Sequence, residues 1–307
     1  MRPFLLIPNI RIHNANAMSS PYSIGFPAMT AWLGAVHALQ RKLQQLPDFE
    51  TLCLSKVGVS CHQLEVQTHR SKGDFVSSII GTGNPLDKDG SRPSFIEEAR
   101  CHVSVSLLIE MSEIDPEWEE SLPIAIVPML RQMKMAAGDV LSFREPKVVY
   151  LEEGNASDLK ALMQRLMLGH VLVEKRQLLK DYVAANPDKD VLHALLAHLQ
   201  IQHRVALDGN QEAIALGNNQ YQWEAGRLQA GWFVPIAVGF QGISPLGMAL
   251  NQRDADTPHR FAESVVTLGE FVMPYRIECI DEMLWQYHVD TEQDLYVCQT
   301  SVASLEN

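Results

Sequence analysis

No stretch of the chain approaches the ~18–20 consecutive apolar residues that a membrane span requires. Met1 to Pro8 is too short and too poorly flanked for a signal peptide, so a cytoplasmic protein without a membrane partner is expected. The five cysteines, Cys53, Cys61, Cys101, Cys279 and Cys298, are odd in number and never spaced as CxxC. That pattern excludes a disulfide framework and predicts reduced, buried thiols, mostly within apolar alternation. Also missing are GxSxG, the P-loop, GxGxxG and HExxH, the usual signatures of acyl transfer, nucleotide binding and zinc hydrolysis. Internal repeats and low-complexity tracts are absent too.

What is present is 307 residues, 46% of them apolar, enough for one large domain or two modest ones with a substantial core. The formal net charge is −12, which on its face argues against a nucleic-acid partner, because phosphate is usually met by clustered Lys and Arg. The charge is unevenly placed. Residues 1–110 carry ten Lys/Arg against nine Asp/Glu and five of the eleven histidines, whereas residues 111–307 carry 15 against 28. The two parts of the chain need different partners or duties.

Phe4 to Ile12 is short, apolar and β-branched, and reads as a central strand with an irregularity at Pro8. A loop rich in Asn, Ser, Pro and Gly follows from His13 to Pro27, then a helix from Thr30 that ends before Pro47. Lys56 to His69 predicts a second strand. Its apolar phase changes from Val57/Val59/Cys61 to Leu64/Val66, so a bulge near Cys61 to Gln63 is needed to keep one core face. Residues 70–95, rich in glycine, read as a long hairpin or a protruding loop. Cys101 to Met111 alternates as a half-exposed antiparallel strand, Trp118 to Ala136 is a second helix, and Val140 to Glu152 a fourth strand region.

Strand, helix, strand, strand, helix, strand is the ferredoxin-like, RRM-like order shared by many RNA-recognition domains. The expected class is therefore α+β, with such a core over residues 1–155. A helical insertion over 156–222 follows from the helical spacing of Leu159, Leu162, Met163 and Leu166, and then of Leu192, Leu195, Leu196 and Leu199. Residues 223–307 are β-rich and pack on the core, with a helix near Arg260 to Phe271 and a short aromatic strand pair from Leu284 to Gln299. Trp232/Phe233 and Trp285/Tyr287 are expected in the core.

Candidate chemistry is sparse. The Cys61-His62 and Cys101-His102 dipeptides suggest a metal, but neighbours on a strand point to opposite faces and one dipeptide cannot clamp a tetrahedral ion. Core cysteines and hydrogen-bonded histidines are the simpler reading. His193 and His198, like His198 and His203, are five apart and miss a shared helix face. The pairs Glu97-Glu98, Glu119-Glu120 and Glu152-Glu153 do not face each other and fit solvated surfaces. The DxDG of Asp87 to Gly90 lacks the EF-hand register. No metal or cofactor is expected. His13 and His37 are the only candidates for metal-independent RNA cleavage, as general acid or base. Asn14, Asn16, Ser19 and Ser20 either close Asx and Ser turns or contact phosphate, sugar and base edges.

The motifs at these loops carry a resemblance. His13 to Pro21 with Gly25-Phe26-Pro27, Val36 to Arg41, Asn84-Pro85-Leu86 with Asp89-Gly90-Ser91, Gly231 to Ile236 with Ser244-Pro245-Leu246, and Thr257 to Glu263 with Leu268-Gly269-Glu270 run in order along nearly the whole chain. Together they resemble the second Csy subunit family of the type I-F CRISPR surveillance complex. The resemblance implies a RAMP protein with an RRM-like core and no catalytic role. It would hold the 5′ handle of CRISPR RNA jointly with the large Csy subunit, beside a backbone Csy subunit, and meet target DNA only through the assembled complex. It further implies RNA contact by Arg11, Asn14, Asn16, Ser19, Ser20, His37, Arg41, Asn84, Lys88, Arg92, Arg253 and Arg260. The strand 101–111 shows Ser and His where stacking aromatics would stand, so recognition through loops is expected over the open sheet. The acidic residues Asp158, Asp181, Asp188 and Asp190 would face solvent or a protein partner. A metal-independent endoribonuclease and a purely structural bridge are the alternatives.

Overall fold

The computed structural model describes residues 1–80, 85–92, 98–112, 115–206, 214–217, 220–252, 254 and 256–300. The first half contains β1 (Arg2–Asn16), α1 (Met29–Leu43), β2 (Leu54–Val66), β3 (Arg100–Met111), α2 (Trp118–Gln132), β4 (Gly138–Ser142) and β5 (Lys147–Leu151). Its strands pair in the order β4/β5, β1, β3, β2, all antiparallel. Both helices cover one face of this sheet, burying Trp32, Leu33, Val36 and Leu39 from α1 with Leu122, Ile126 and Leu130 from α2. The expected α+β class holds.

Why β1 can do this is visible in its spacing. The residues it turns to the helices are Leu5 and Ile7, then Ile10 and Ile12, then Ala15, with Ala17 just past its end. Pleating fixes a period of two, so each step of three needs one extra residue. The extra residues sit beside Asn9 and Asn14, whose φ values are 51° and 55°, and the pairing with β3 slips at both places. Asparagine is among the few residues that tolerate this left-handed backbone. The first slip is the irregularity predicted at Pro8. The second corrects the expected loop boundary: the strand runs on to Asn16. In β2 the predicted bulge lies between Cys61 and Gln63 and returns Leu64 and Val66 to the helix side.

The second half departs further from expectation. Between α3 (Ala156–Arg165) and the pair α4 (Arg176–Ala185) and α5 (Val191–Leu199) lies β6 (His170–Glu174), a strand where only helix was expected. Then come β7 (Phe233–Gly242), β8 (Ala262–Val272), β9 (Trp285–Asp290) and β10 (Leu295–Thr300). The segment read as a helix around Arg260 to Phe271 is strand β8, fully paired with β7 and β6. The aromatic strand pair at the end is β9 with β10, as expected.

All of these join one sheet through β2. β9 reaches it at Trp285↔Val57 and β6 at Val171↔Ser60 and His170↔Cys61, so the pairings β2, β9, β10, β7, β8, β6 close on themselves. The Trp285 indole, fully buried, donates to the Leu172 carbonyl at 2.9 Å across this ring. Phe233 is likewise buried, but Trp232 and Tyr287 are partly exposed, so only half of the expected aromatic core is core. Helix α1 packs on both parts of the sheet, sharing one hydrophobic cluster with Ile236, Val238, Phe271 and Val297.

A second cluster covers the opposite face of β1 and β3 at one end only. There Phe4, Leu6 and Leu108 meet α3 through Leu162, Met163 and Leu166, and the 277–284 segment through Ile280 and Leu284. An ion network seals that end: Arg2 reaches Glu110 at 2.6 Å and Asp281 at 2.8 Å, and Lys56 joins the same two carboxylates at 3.2 and 3.5 Å. The other end of this face, from Asn9 towards Asn14, stays open.

Two predictions follow from this packing. A methyl group at Gly138 would lie 2.7 Å from the His13 carbonyl and 2.8 Å from the Ala15 nitrogen, backbone atoms that cannot swing away. Gly138→Ala should cost about 2 kcal/mol in a denaturant titration, while Gly247→Ala, where nothing lies within 4 Å, should stay near wild type. The Arg2 hydrogen bonds hold the Asp281 carboxyl below its ordinary value of 3.8. Its contribution is therefore present above the unfolded value and lost as pH falls below about 4. Acid titration of Asp281→Asn should show a shallower loss of stability over that window than wild type.

Candidate nucleic-acid interface

The open end of the sheet collects polar side chains from three strands. Arg11 and His13 stand on β1, His102 and Ser104 on β3, and Gln63 and Glu65 on β2, all directed away from the helices. The His13 and His102 rings stack with centroids 4.1 Å apart and planes 12° from parallel. Gln67 donates to the Asn14 side-chain oxygen at 2.5 Å and lies 3.3 Å from His102 Nε2, and the Asn14 backbone N–H reaches His102 Nδ1 at 3.3 Å. Arg100 donates to the Asn14 carbonyl at 3.4 Å. Arg11, His13, Gln63, Glu65, His102 and the exposed Leu141 surround a cleft of about 190 Å³.

Deeper along the same face, Ser106 is buried and shared. Its hydroxyl lies 2.7 Å from His62 Nε2 and accepts the Asn9 backbone N–H at 3.0 Å. Burial pulls the His62 imidazole below its ordinary value, and the nearby Arg144 charge adds to the shift. Burial also pushes the Cys61 thiol up to about 12 and the Cys101 thiol up to about 11, so both stay protonated at neutral pH. The two Cys-His dipeptides are thus apolar cysteines beside hydrogen-bonded histidines. Cys53 and Cys279, in contrast to the expected burial, are exposed. Among the described residues no three His, Cys, Asp or Glu side chains come together as a metal site.

The remaining site residues are distributed over other surfaces. Asn16 closes an Asx turn, with its side chain bonded to both the N–H and the carbonyl of Met18 at 3.1 Å. The Ser19 and Ser20 hydroxyls meet Ser23 at 3.2 and 2.6 Å, and Ser20 is buried, so it builds the turn and presents nothing to a ligand. Asn16 and Ser19 border a groove along the small residues of α1, with Gly34, Ala38, Lys134 and Phe240. His37 and Arg41 are exposed one turn apart on α1. Lys88 and Arg92 are exposed in a turn closed by the Gly90 N–H on the Asp87 carbonyl at 2.8 Å, with Gly90 at φ 80°. Arg260 forms an ion pair with Asp294. Asn84 and Arg253 lie outside the described residues.

Residues 5–298 match the profile of the family described as CRISPR-associated protein (Cas_Csy2). The chain is also 32% identical to the CRISPR-associated protein Csy2 of Pseudomonas aeruginosa (strain UCBPP-PA14), over 95% of this chain and 93% of that one. The chain belongs to the Csy2 family. The type I-F Csy resemblance carried by the ordered motifs is therefore confirmed over nearly the whole chain. In this Csy2-family chain the motif around His13 to Ser20 divides in two: His13 and Asn14 lie on the open sheet, while Asn16 to Ser20 form the adjoining turn.

Sequence reasoning missed His102, Gln67, Gln63 and Glu65 as members of one surface. The period of two in β2 and β3 held the signal, since these are their off-core positions. What hid them was the first bulge in β1, which shifts the pairing by one residue so that Ile12 meets Val103 and His13 falls beside His102. The left-handed backbone at Asn14 in turn adds the residue that returns Ala15 to the core. Asn14→Gly should leave stability within about 0.5 kcal/mol of wild type, whereas Asn14→Val should lose about 1–2 kcal/mol in thermal melts.

Proposed function

We propose that the chain is the non-catalytic subunit of a type I-F CRISPR RNA-guided surveillance complex that binds the 5′ handle of CRISPR RNA. It does so in the cytoplasm, jointly with the large Csy subunit and beside a backbone subunit, for recognition of invading DNA by the assembled complex. We further infer that residues 1–155 are a ferredoxin-like, RRM-like core of the RAMP type. The strand order β4/β5, β1, β3, β2 with both helices on one face supports that reading.

The observation that carries the functional reading is the uncovered half of the sheet face opposite the helices. A purely structural sheet would cover it with apolar side chains, as α3 does at the other end. Here the face instead presents Arg11, stacked imidazoles, amides and hydroxyls, the groups that meet phosphate, base planes and base edges in single-stranded RNA. The near-neutral charge of residues 1–110 permits this, and Lys88 and Arg92 add two exposed cations on a turn of their own. The open sheet, and not only the loops, is the proposed contact surface. Buried Ser20 drops out of the proposed set, and Arg260 would have to give up Asp294 to take a phosphate.

Geometry also bears on the nuclease alternative. His13 lies on the open face and His37 on α1, which covers the other face. The two histidines cannot act as an acid–base pair across the sheet.

Filter binding of the chain, alone and co-purified with the large subunit, to handle RNA tests the reading. Tighter binding by the pair is expected. For each of Arg11→Ala and Lys88→Ala, the slope of log K against log salt should fall by about 0.7, the loss of one phosphate contact on a single strand. Unchanged slopes would sink those two assignments. A stable pair to which this chain adds no RNA affinity and no crosslink would leave the structural bridge standing instead. Incubation with repeat RNA should give no cleavage; cleavage abolished by His37→Ala would overturn the non-catalytic reading.

A further inference from the structure

We propose that the cleft on the open sheet face is a subsite for one unpaired nucleobase and that the base it takes is guanine. The proposal rests on the RNA-binding reading above and specifies what that surface recognises.

Size limits the occupant first. An apolar cavity of about 150 Å³ holds a single benzene ring. A cleft of about 190 Å³ open to solvent therefore has room for one base and excludes a base pair. The walls select a planar ligand: the paired imidazoles of His13 and His102 offer an aromatic surface on one strand pair, and Leu141, 61% exposed, offers an apolar one from β4. Stacking against such surfaces is the sequence-tolerant part of single-strand binding.

The polar groups then choose among bases. Glu65 is the unexpected member, because a carboxylate at a surface that meets phosphates repels its ligand unless it accepts hydrogen bonds from it. Gln63 donates to one Glu65 oxygen at 2.6 Å, which fixes the carboxylate, and among the described residues no salt bridge engages it. An ionised carboxylate only accepts, through two adjacent oxygens. Guanine alone presents two adjacent donors on its Watson–Crick edge, the ring N1–H and the exocyclic amino group. Adenine and cytosine place a ring acceptor beside their amino group, where the carboxylate would repel it. Uracil flanks its single N–H with two carbonyls. Arg11 at the rim is placed for the neighbouring phosphate, which keeps the base at the cleft while Glu65 reads it.

The test is fluorescence anisotropy of the full chain with four labelled seven-nucleotide RNAs, oligouridine with a central G, A, C or U. A preference for the central G of about tenfold is expected, the scale of a good bidentate base contact. Glu65→Gln, a conservative change at an exposed position, should bring the four affinities within twofold of each other. His13→Ala should weaken the G-containing RNA about tenfold, and His13→Phe should restore it, an outcome that loss of folding would not produce. Binding without base preference, or a G preference that survives Glu65→Gln, overturns the subsite and leaves the RNA-binding reading intact. Failure of all four RNAs to bind, with handle RNA also unbound by the chain paired with its large subunit, overturns both.

Discussion

Strand β2 is the constraint on which the rest of the structure depends, because both of its edges are occupied at once. One edge pairs with β3 along its length, and the other takes β9 at Val57 and β6 at Ser60 and Cys61. Two elements can share one edge only if each approaches over a short stretch and nothing bulky separates them. Small residues meet that demand. Ser60 is buried and donates to the Leu166 carbonyl at 3.2 Å, and a side chain at Gly169 would run into Ser60 and the His62 ring. The same crowding decides where a ligand can go. By bringing β6, α3 and the 277–284 segment against the start of the sheet, β2 closes half of the face opposite the helices and leaves the other half to solvent.

That division explains why the polar surface is where it is. At the covered end, buried polar groups are consumed internally: Ser106 serves His62 and Asn9, and Arg2 serves Glu110 and Asp281. Beyond Ser106 the covering layer ends, and the same strands present His102, Ser104, Arg11 and Gln63 outwards. Strand alternation supplies such residues in any half-exposed sheet. What is particular here is the pair of left-handed asparagines in β1. Each inserts one residue, so β1 keeps its apolar side chains on the helices over fifteen residues while its outward side chains are re-aimed twice. His13 lies over His102 because of the first insertion, and the second returns Ala15 to the core.

Most of the first half was legible in the sequence because its signals are local. Alternation in 101–111, the phase change in β2 and the helical stripe of α1 each express one face against one core. The failures share a different cause. Segment 262–272 contains Val265, Leu268, Phe271 and Val272 at spacings a helix would also use, and only pairing with residues 233–242 makes it a strand. Five residues, His170 to Glu174, between two amphipathic helices are too short to show a period, and their partners lie about 100 residues away in both directions. Tertiary pairing outweighs local pattern in both cases. For the site, residue types were legible and their company was not. His13 and Asn14 were read beside Asn16, Ser19 and Ser20 as one loop, yet the strand carries the first two onto the sheet surface while the others close a turn through their own hydrogen bonds.

The net charge of −12 takes on a different meaning against this geometry. Asp181, Asp188 and Asp190 are exposed on the α4–α5 region, whose helices pack on β7 and β8, away from the strands that carry Arg11 and His102. Exposed charges separated by more than about 10 Å are largely screened at physiological salt, so a global excess need not weigh on a local site. The open face itself is close to neutral, with Arg11, Arg100 and Arg144 offset by Glu65 and Glu98. A neutral surface of rings, amides and a fixed carboxylate gains little from counterion release and much from contacts that depend on base identity. On the proposed reading, such a surface would select an RNA segment by its bases and leave most of the phosphate backbone to a partner subunit.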